Sequence, residues 1–139
     1  MAIRLARSEA DLSRCFPVVV QLRPHLSQGE FINRVLQQRQ EGYQIAFVEE
    51  GEAVTAVAGF RLMNLLFRGR VLYVDDLVTD EAQRSKGYGQ QLLDWLTEQA
   101  RAQGCSALEL DSGVQRSGAH RFYFREGLAI TSFRFSKPL

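Results

Sequence analysis

The sequence predicts an α/β protein in which one mixed, mostly antiparallel sheet carries helices on both faces. Two periods predict this class: some segments have an apolar residue at every second position, and others repeat apolar residues at helical spacing. The segments follow one another in the order β-α-α-β-β-β-α-β-α-β. Only the step from a strand ending at Thr79 to a strand beginning at Ser106 crosses over a helix between parallel strands.

Length and composition favour a single domain, residues 1–139. The chain is 45% hydrophobic and 24% charged, which is typical of a globular protein. Its net charge of +1 provides no general attraction to nucleic acid or to an anionic membrane, so we expect neither as a partner. No secretory or membrane-spanning apolar run is evident, and the two cysteines are interpreted as reduced thiols. We therefore expect a cytoplasmic protein, and no metal site.

The first part of the chain predicts a strand and two helices. Residues 3–7 alternate as a short strand. Helical spacing follows over residues 8–23 and 27–42, and each segment begins with a serine that can cap the first turn. Pro17 makes a break or a kink in the first helix possible.

The later elements are predicted from the same two periods. Strands are expected over residues 43–49, 53–66, 71–79, 106–111 and 129–135, and helices over residues 90–103 and 117–126. The first three of these strands form an antiparallel meander joined by glycine-containing turns. The Phe-rich final strand offers an edge on which a second copy of the chain could pair.

A loop with two closely spaced glycines joins the strand over residues 71–79 to the following helix. The first turn of a helix has unpaired N–H groups and partial positive charge, and glycine lets an anion approach the backbone. The dinucleotide fingerprint is absent because Leu92 stands where its third glycine belongs, and no Gly-Lys-Ser/Thr forms a P-loop. We predict a phosphate site formed by Arg84, Ser85, Lys86, Gly87, Tyr88, Gly89 and Gln90.

This loop resembles the coenzyme A pyrophosphate loop of the GNAT N-acetyltransferase superfamily, whose pattern is Arg/Gln-x-x-Gly-x-Gly/Ala after a strand. A second motif strengthens the resemblance, since Ala119 is followed by Tyr123, Gly127 and an apolar residue, as in the family's second signature. The resemblance is firm over residues 71–128. It implies a GNAT-like domain in which the parallel strand pair splays apart and acetyl-coenzyme A (acetyl-CoA) lies in the resulting notch.

The resemblance also implies how the coenzyme is held. The pantetheine arm is peptide-like, so it would bond to the backbone amides of Leu77, Val78 and Thr79 at a strand edge. An amide there could also polarise the thioester carbonyl. Arg116 departs from the pattern, because the family frequently has asparagine at that position. A guanidinium there could instead bind a coenzyme A phosphate or the adenosine end.

Asp75 and Asp76 are the candidate general bases. An alkyl amine with a pKa near ~10 is mostly protonated at neutral pH and must lose a proton before it attacks. Adjacent strand residues point to opposite faces, so at most one of the two faces the acceptor unless the strand bulges. Resemblance to the Glu-Asp segment of polyamine acetyltransferases favours Asp75. The alternative is that the pair caps the sheet or binds an arginine such as Arg61 or Arg70.

Tyr123 matches the family tyrosine that protonates the departing thiolate, a transfer that the similar pKa values of phenol and thiol allow. The alternative is a tyrosine with its ring in the core and its hydroxyl at the surface. In the family that the chain resembles, the two N-terminal helices cover one side of the acceptor groove. Arg23 and His25, in the link between these helices, are therefore candidates for substrate contact.

The sequence therefore predicts an acetyl-CoA-dependent N-acetyltransferase that acetylates a primary amine of a small molecule or a protein. Direct attack is expected because no serine or cysteine nucleophile with a base is evident. The alternative is a non-catalytic coenzyme A or acyl-CoA sensor of the same fold. A nucleotide-binding regulatory module is disfavoured by the missing third glycine.

Overall fold

A computed structural model describes all 139 residues, and their contacts form two compact units, residues 1–109 and residues 110–139. The regular elements are β1 (Ala2–Leu5), α1 (Glu9–Leu22), α2 (Gln28–Gln38), β2 (Gln44–Glu50), β3 (Ala53–Leu65), β4 (Gly69–Thr79), α3 (Tyr88–Ala102), β5 (Ala107–Leu110) and α4 (Ser117–Arg125). Short 3-10 turns follow α2 and β4, at Arg39–Glu41 and Glu81–Gln83. None of the helices combines the length and the hydropathy that a membrane crossing requires.

The sheet contains five strands in the order β1-β2-β3-β4-β5. The first four are antiparallel neighbours, and β5 runs parallel to β4. This mixed sheet with its helices confirms the predicted α/β fold class.

Helices of the first unit cover both faces of the sheet. Side chains of α1 and α2 form one core with Ile45 and Phe47 of β2. The alternate side chains of β2 point to the other face, where the buried leucines of α3 lie. An edge-to-face contact between Phe60 of β3 and Trp95 of α3, with ring centroids 6.1 Å apart, joins helix and sheet on that face.

The two N-terminal helices begin where their serines predict. Ser8 accepts a hydrogen bond from the amide of Asp11, and Ser27 forms a reciprocal capping box with Glu30. Pro17 does not break α1, which continues to Leu22. Burial of the apolar face of α1 on both sides of the proline offsets the hydrogen bond that the proline removes.

The final strand predicted over residues 129–135 is wrong, because no helix or strand follows α4. Ile130, Phe133 and Phe135 are 69%, 84% and 94% exposed. Alternation shows only which side chains could share a face, whereas a strand also needs a neighbour that completes its hydrogen-bond ladder. All five strands of the sheet come from residues 2–110.

Candidate active site

A bulge in β4 determines where the two candidate bases lie. Gly59 of β3 pairs with Asp76 and Phe60 pairs with Val74, so Asp75 is an extra residue on β4. A bulge interrupts the strict alternation of side chains along a strand. The strand therefore bulges at Asp75, and the two carboxylates reach neighbouring parts of one polar cluster.

Asp75 is bound by Arg61, as one alternative predicted. The Arg61 Nε donates to Asp75 Oδ1 at 3.1 Å, and Nη2 lies 2.9 Å from Oδ2, so both carboxylate oxygens are engaged. Nη2 also donates to Gln38 at 2.7 Å. Burial raises the pKa of Asp75, and the charge of Arg61 opposes that rise. Arg70 has other partners, the side chain of Asn64 and the carbonyl of Gln103.

Asp76 is bound by a different pair of side chains. The hydroxyl of Tyr43 donates to Asp76 Oδ2 at 2.6 Å, and Arg23 Nε donates to Oδ1 at 3.0 Å. Burial, and then the charge of Asp76, raise the pKa of Tyr43, which therefore remains a donor. Arg23 also donates to the backbone carbonyl of Asp75 at 3.2 Å.

The two pairs form one cluster because Arg61 lies over the ring of Tyr43, with its guanidinium carbon 5.2 Å from the ring centroid. We call Arg23, Tyr43, Arg61, Asp75 and Asp76 the carboxylate cluster. Two guanidinium groups balance two carboxylates within it. Each carboxylate is held at a fixed position by hydrogen bonds from within the protein.

Gly59 makes the close approach within this cluster possible. A Cβ at this position would lie 1.8 Å from the Tyr43 hydroxyl and 2.7 Å from Asp76 Oδ2, so no side chain fits without displacing that hydrogen bond. A glycine inside a strand commonly marks such an approach. The hydrogen bond between Tyr43 and Asp76 therefore occupies the space that a side chain would fill.

A cavity of about 310 Å³ lies beside the carboxylate cluster, lined by α1, α2 and strands β2 to β4. Its walls are mainly apolar, and Asp76 is its only acidic residue. Arg23, His25 and Arg34 are its basic residues. The structure thus brings the predicted contacts Arg23 and His25 together with Asp76, whereas Asp75 does not line the cavity.

The glycine loop has the features of an anion site. Gly87 is the N-cap of α3 with φ of 85°, and no side chain caps the first turn, which also lacks acidic residues. Ser85, with φ of 65°, is the only residue other than glycine that has positive φ. Such strain is usually retained at functional positions. The loop therefore meets the backbone requirements for holding a phosphate.

The side chains of this loop are mostly exposed. Arg84 and Lys86 lie at the surface, and Lys86 donates to Gln83 at 3.0 Å. Tyr88 donates to Glu50 at 3.4 Å, whereas Gln90 is exposed at the third residue of α3. Positive charge and open backbone amides therefore lie on one stretch of surface, which also includes the half-buried Gly89.

The predicted pantetheine contacts lie at the end of β4. Leu77, Val78 and Thr79 pair with β3 on one side. On the other side of β4, the amide of Ser106 donates to the carbonyl of Arg70 at 2.8 Å, and β5 begins at the next residue. This strand has only four residues. At about 3.3 Å per residue, a strand of that length runs along only the first half of β4. The end of β4 therefore extends beyond its shorter neighbour.

Tyr123 and Arg116 belong to the second unit, residues 110–139. Tyr123 is half-buried in α4, where burial raises its pKa and the charge of Arg116 opposes that rise. Arg116 is the exposed N-cap residue of α4. His120 bonds to the carbonyl of Gly113 at 2.8 Å, which fastens the preceding loop to the helix.

Sequence reasoning missed three residues of the site. The sequence pattern places Tyr43 only at the start of a strand, because no local pattern connects it to a carboxylate 33 positions later. Arg34 lies on the polar side of an amphipathic helix, which gives no sign of a cavity. Gly59 is the one of the three that the sequence could have indicated, because an isolated glycine in a strand often marks a close approach by another group. The sequence does not show which group approaches.

Comparisons with known proteins agree with this geometry. The family profile described as the acetyltransferase (GNAT) family matches residues 7–128. The chain is 34% identical over 134 residues to the uncharacterized N-acetyltransferase YhdJ of Bacillus subtilis, covering 95% of this chain and 94% of that protein. It is 35% identical over 97 residues to the aminoalkylphosphonate N-acetyltransferase of Salmonella typhimurium, covering 70% of this chain and 62% of that protein. The crystal structure of an acetyltransferase from Trypanosoma brucei has a TM-score of 0.79 at 25% identity and 99% coverage of each chain.

The chain belongs to the GNAT acetyltransferase family. Within that family it is an N-acetyltransferase, as its relatives in Bacillus subtilis and Salmonella typhimurium are named. The resemblance inferred from the two sequence motifs is thereby confirmed. Members of the family generally take the acetyl group from acetyl-CoA.

Proposed function

We propose that this enzyme transfers an acetyl group from acetyl-CoA to a primary amine by direct attack of the amine. The observation that carries the proposal is the uncapped first turn of α3 behind two residues of positive φ, Ser85 and Gly87. Such a turn presents unpaired amides and a positive dipole to an anion. Arg84 and Lys86 add charge around it.

Acetyl-CoA, when bound, supplies a thioester that is activated for acyl transfer. The residues assigned to hold it are Arg84, Ser85, Lys86, Gly87, Tyr88, Gly89 and Gln90 around the pyrophosphate, Leu77, Val78 and Thr79 along the pantetheine, and Arg116 at a phosphate or the adenosine end. The backbone features of the loop fit a diphosphate, because glycine at the N-cap allows close approach.

The carboxylate cluster is assigned to the amine. An ammonium group entering the cavity meets Asp76, and the proton that it loses passes to Asp76 or to Asp75, directly or through water. Burial raises the pKa of Asp75, which favours its accepting a proton, whereas Asp76 is the carboxylate that lines the cavity. Single Asp75→Asn and Asp76→Asn variants separate the two: the base variant loses kcat most strongly at low pH.

Tyr123 is assigned as the acid that protonates the departing thiolate. Burial raises its pKa, so the phenol stays protonated throughout the neutral range. Tyr123→Phe keeps the ring and removes the hydroxyl group that would donate the proton. We expect kcat to fall about 100-fold or more with little change in coenzyme affinity, in line with the usual contribution of general acid catalysis.

The test of the whole proposal is coenzyme A thiol release with acetyl-CoA and a broad panel of primary amines, combined with calorimetric titration of acetyl-CoA. Release above the spontaneous rate supports the enzyme. Tight acetyl-CoA binding, no turnover with any amine, and a silent Tyr123→Phe change would instead favour a coenzyme A sensor. Absence of coenzyme binding would contradict both.

We also propose that residues 1–139 act as one acetyltransferase domain. Support comes from the match of the family profile across residues 7–128, which extends over most of both compact units. A single calorimetric unfolding transition, with equal calorimetric and van't Hoff enthalpies, is expected. Two resolved transitions would contradict the proposal.

A further inference from the structure

The charges around the cavity are not balanced. Asp76 is its only carboxylate, and Arg23 already pairs with it at 2.9 Å. Arg34 and His25 also line the cavity, and neither takes part in an ion pair within the protein. The cavity therefore has basic groups that no internal carboxylate neutralises.

Glu30, on the same helix as Arg34, is already engaged by Ser27. Hydrogen bonds from Ser27 lower the pKa of Glu30, and the charges of Arg34 and His25 lower it further. Glu30 is held in the capping box of α2 and does not line the cavity. Arg34 is exposed and free to turn its guanidinium toward a ligand.

Asp76 retains the capacity to bind an ammonium group. Its two oxygens offer about four acceptor positions, and Tyr43 and Arg23 occupy only part of them. The bonds from Tyr43 and Arg23 also fix the carboxylate, which lowers the entropy cost of binding. The cavity thus offers Asp76 to a cation, and Arg34 and His25 to an anion.

The size and walls of the cavity favour a small ligand. Its volume of about 310 Å³ lies near the lower end of the roughly 300–1,000 Å³ typical of small-molecule sites. Leu22, Leu26, Phe31 and Val57 are among its apolar walls. A short aliphatic spacer between two charged ends would bury its methylene groups against them.

We propose that the acceptor is a small amine that also carries a carboxylate or phosphonate, with its amine at Asp76 and its acid bound by Arg34 and His25. This proposal rests on the proposed function, since it takes the cavity as the acceptor site. Arg34 is a specificity-determining residue in this arrangement. The acid group decides which amines bind and takes no part in the acetyl transfer.

Matched acceptors test the acid directly. A series of ω-amino acids of increasing chain length is compared with the corresponding ω-amino amides and diamines, which share the amine and the spacer but end in a neutral or a positive group. The best amino acid should exceed its amide in kcat/KM by roughly tenfold or more, the usual value of a charge-assisted pair. Amides or diamines that match or exceed it would overturn the proposal. The aminoalkylphosphonate of the same length shows which acid is preferred.

Arg34 variants test the assigned contact. Arg34→Gln should raise KM for the acidic amine about tenfold and leave KM for the matched amide unchanged, because only the acid loses its partner. Arg34→Lys should restore part of the affinity, since the charge returns without the bidentate geometry. Arg7→Gln is the control, because Arg7 is exposed and does not line the cavity. An equal loss for acid and amide in Arg34→Gln would overturn the proposal.

A binding measurement separates this proposal from the proposed function. Calorimetry of the ω-amino acid and its amide is carried out on the wild-type enzyme with coenzyme A present. Selective binding of the ω-amino acid by the wild-type enzyme, lost in Arg34→Gln, supports the assignment of the cavity. If no acetylation accompanies that binding, only the proposed function fails. Acetylation of neutral amines without preference for the acid overturns the acceptor class and leaves the transferase intact. Failure of both binding and turnover overturns both.

Discussion

The carboxylate cluster and the glycine loop are stabilised in opposite ways. In the cluster, hydrogen bonds from neighbouring side chains hold each carboxylate in place, as Tyr43 and Arg23 hold Asp76. In the loop, no side chain caps the first turn of α3, and the backbone geometry at Ser85 and Gly87 is unusual. The cluster is ordered by contacts within the protein, whereas the first turn of α3 has polar groups that only a ligand or solvent can satisfy.

This difference predicts how the two regions respond to substitution. A preformed cluster depends on the identity and the volume of its side chains. Removing one partner leaves a buried charge without its hydrogen bond, and adding atoms pushes the partners apart. A backbone site depends on dihedral angles and on space near the main chain. Substitutions in the cluster should therefore affect stability and activity together, and substitutions in the loop should mainly affect coenzyme affinity.

The largest effect is expected from Gly59→Ala. The new Cβ would lie 1.8 Å from the Tyr43 hydroxyl, so the hydrogen bond to Asp76 must break and the strands must shift. We expect a loss on the order of 3 kcal/mol in the free energy of unfolding, and near-complete loss of activity. Denaturant unfolding monitored at Trp95 and initial rates measure the two quantities.

Gly29→Ala is the matched control for that experiment. Gly29 lies in α2, has ordinary φ, and has no atom within 4 Å of the position that a Cβ would take. Its replacement should be neutral or should stabilise the protein by up to about 1 kcal/mol through helix propensity. Equal stability of the two variants would contradict the role assigned to Gly59.

Tyr43→Phe removes the 2.6 Å hydrogen bond to Asp76 and keeps the ring under Arg61. We expect the free energy of unfolding to fall by about 1–2 kcal/mol, because a partly buried carboxylate loses a donor. Activity should fall further, since Asp76 is no longer held in place. Tyr88→Phe removes a longer, exposed contact at 3.4 Å and should leave stability nearly unchanged. A Tyr43→Phe enzyme with wild-type stability and rate would show that the bond does not organise the cluster.

Gly87→Ala tests the loop. Its φ of 85° is unfavourable for alanine, although no atom lies near the added Cβ, so the stability loss should be about 1 kcal/mol. The coenzyme must also approach this backbone, and we expect its Kd to rise about tenfold. Gly104→Ala has a similar φ of 72° and an equally open environment, at the other end of α3. If both variants bound the coenzyme equally, the loop would not be the phosphate site.

The smallest effect concerns the ion pairs that Arg4 forms with Asp11 and Glu49. Arg4 lowers the pKa of Asp11 and of Glu49 through hydrogen bonds, so the folded state binds fewer protons than the unfolded state as pH falls. The stabilisation is complete above the ordinary pKa values of 3.8 and 4.5 and is lost as pH decreases through the lowered values. Arg4→Gln should therefore unfold less steeply between about pH 5 and pH 2 than the wild type. Parallel acid-unfolding curves would contradict this account.

Local sequence signals predicted the elements and the loop. A helix start depends on residues three positions apart, so Ser27 and Glu30 were sufficient to place α2. The carboxylates of β4 were also recognisable, but their partners were not, because Tyr43 reaches Asp76 only through the pairing of three strands. The wrong final strand has the same cause: alternation is a local property, and pairing is not.

Because α3 begins without a capping side chain, a bound diphosphate would serve as its cap. The amides of Tyr88, Gly89 and Gln90 would then exchange their hydrogens with solvent more slowly, whereas a ligand confined to the acceptor cavity would leave that exchange unchanged. At a concentration 100 times its Kd, a coenzyme that binds only the folded state would add about 2.7 kcal/mol to the free energy of unfolding. The open helix end thus couples the folding of this enzyme to its supply of donor.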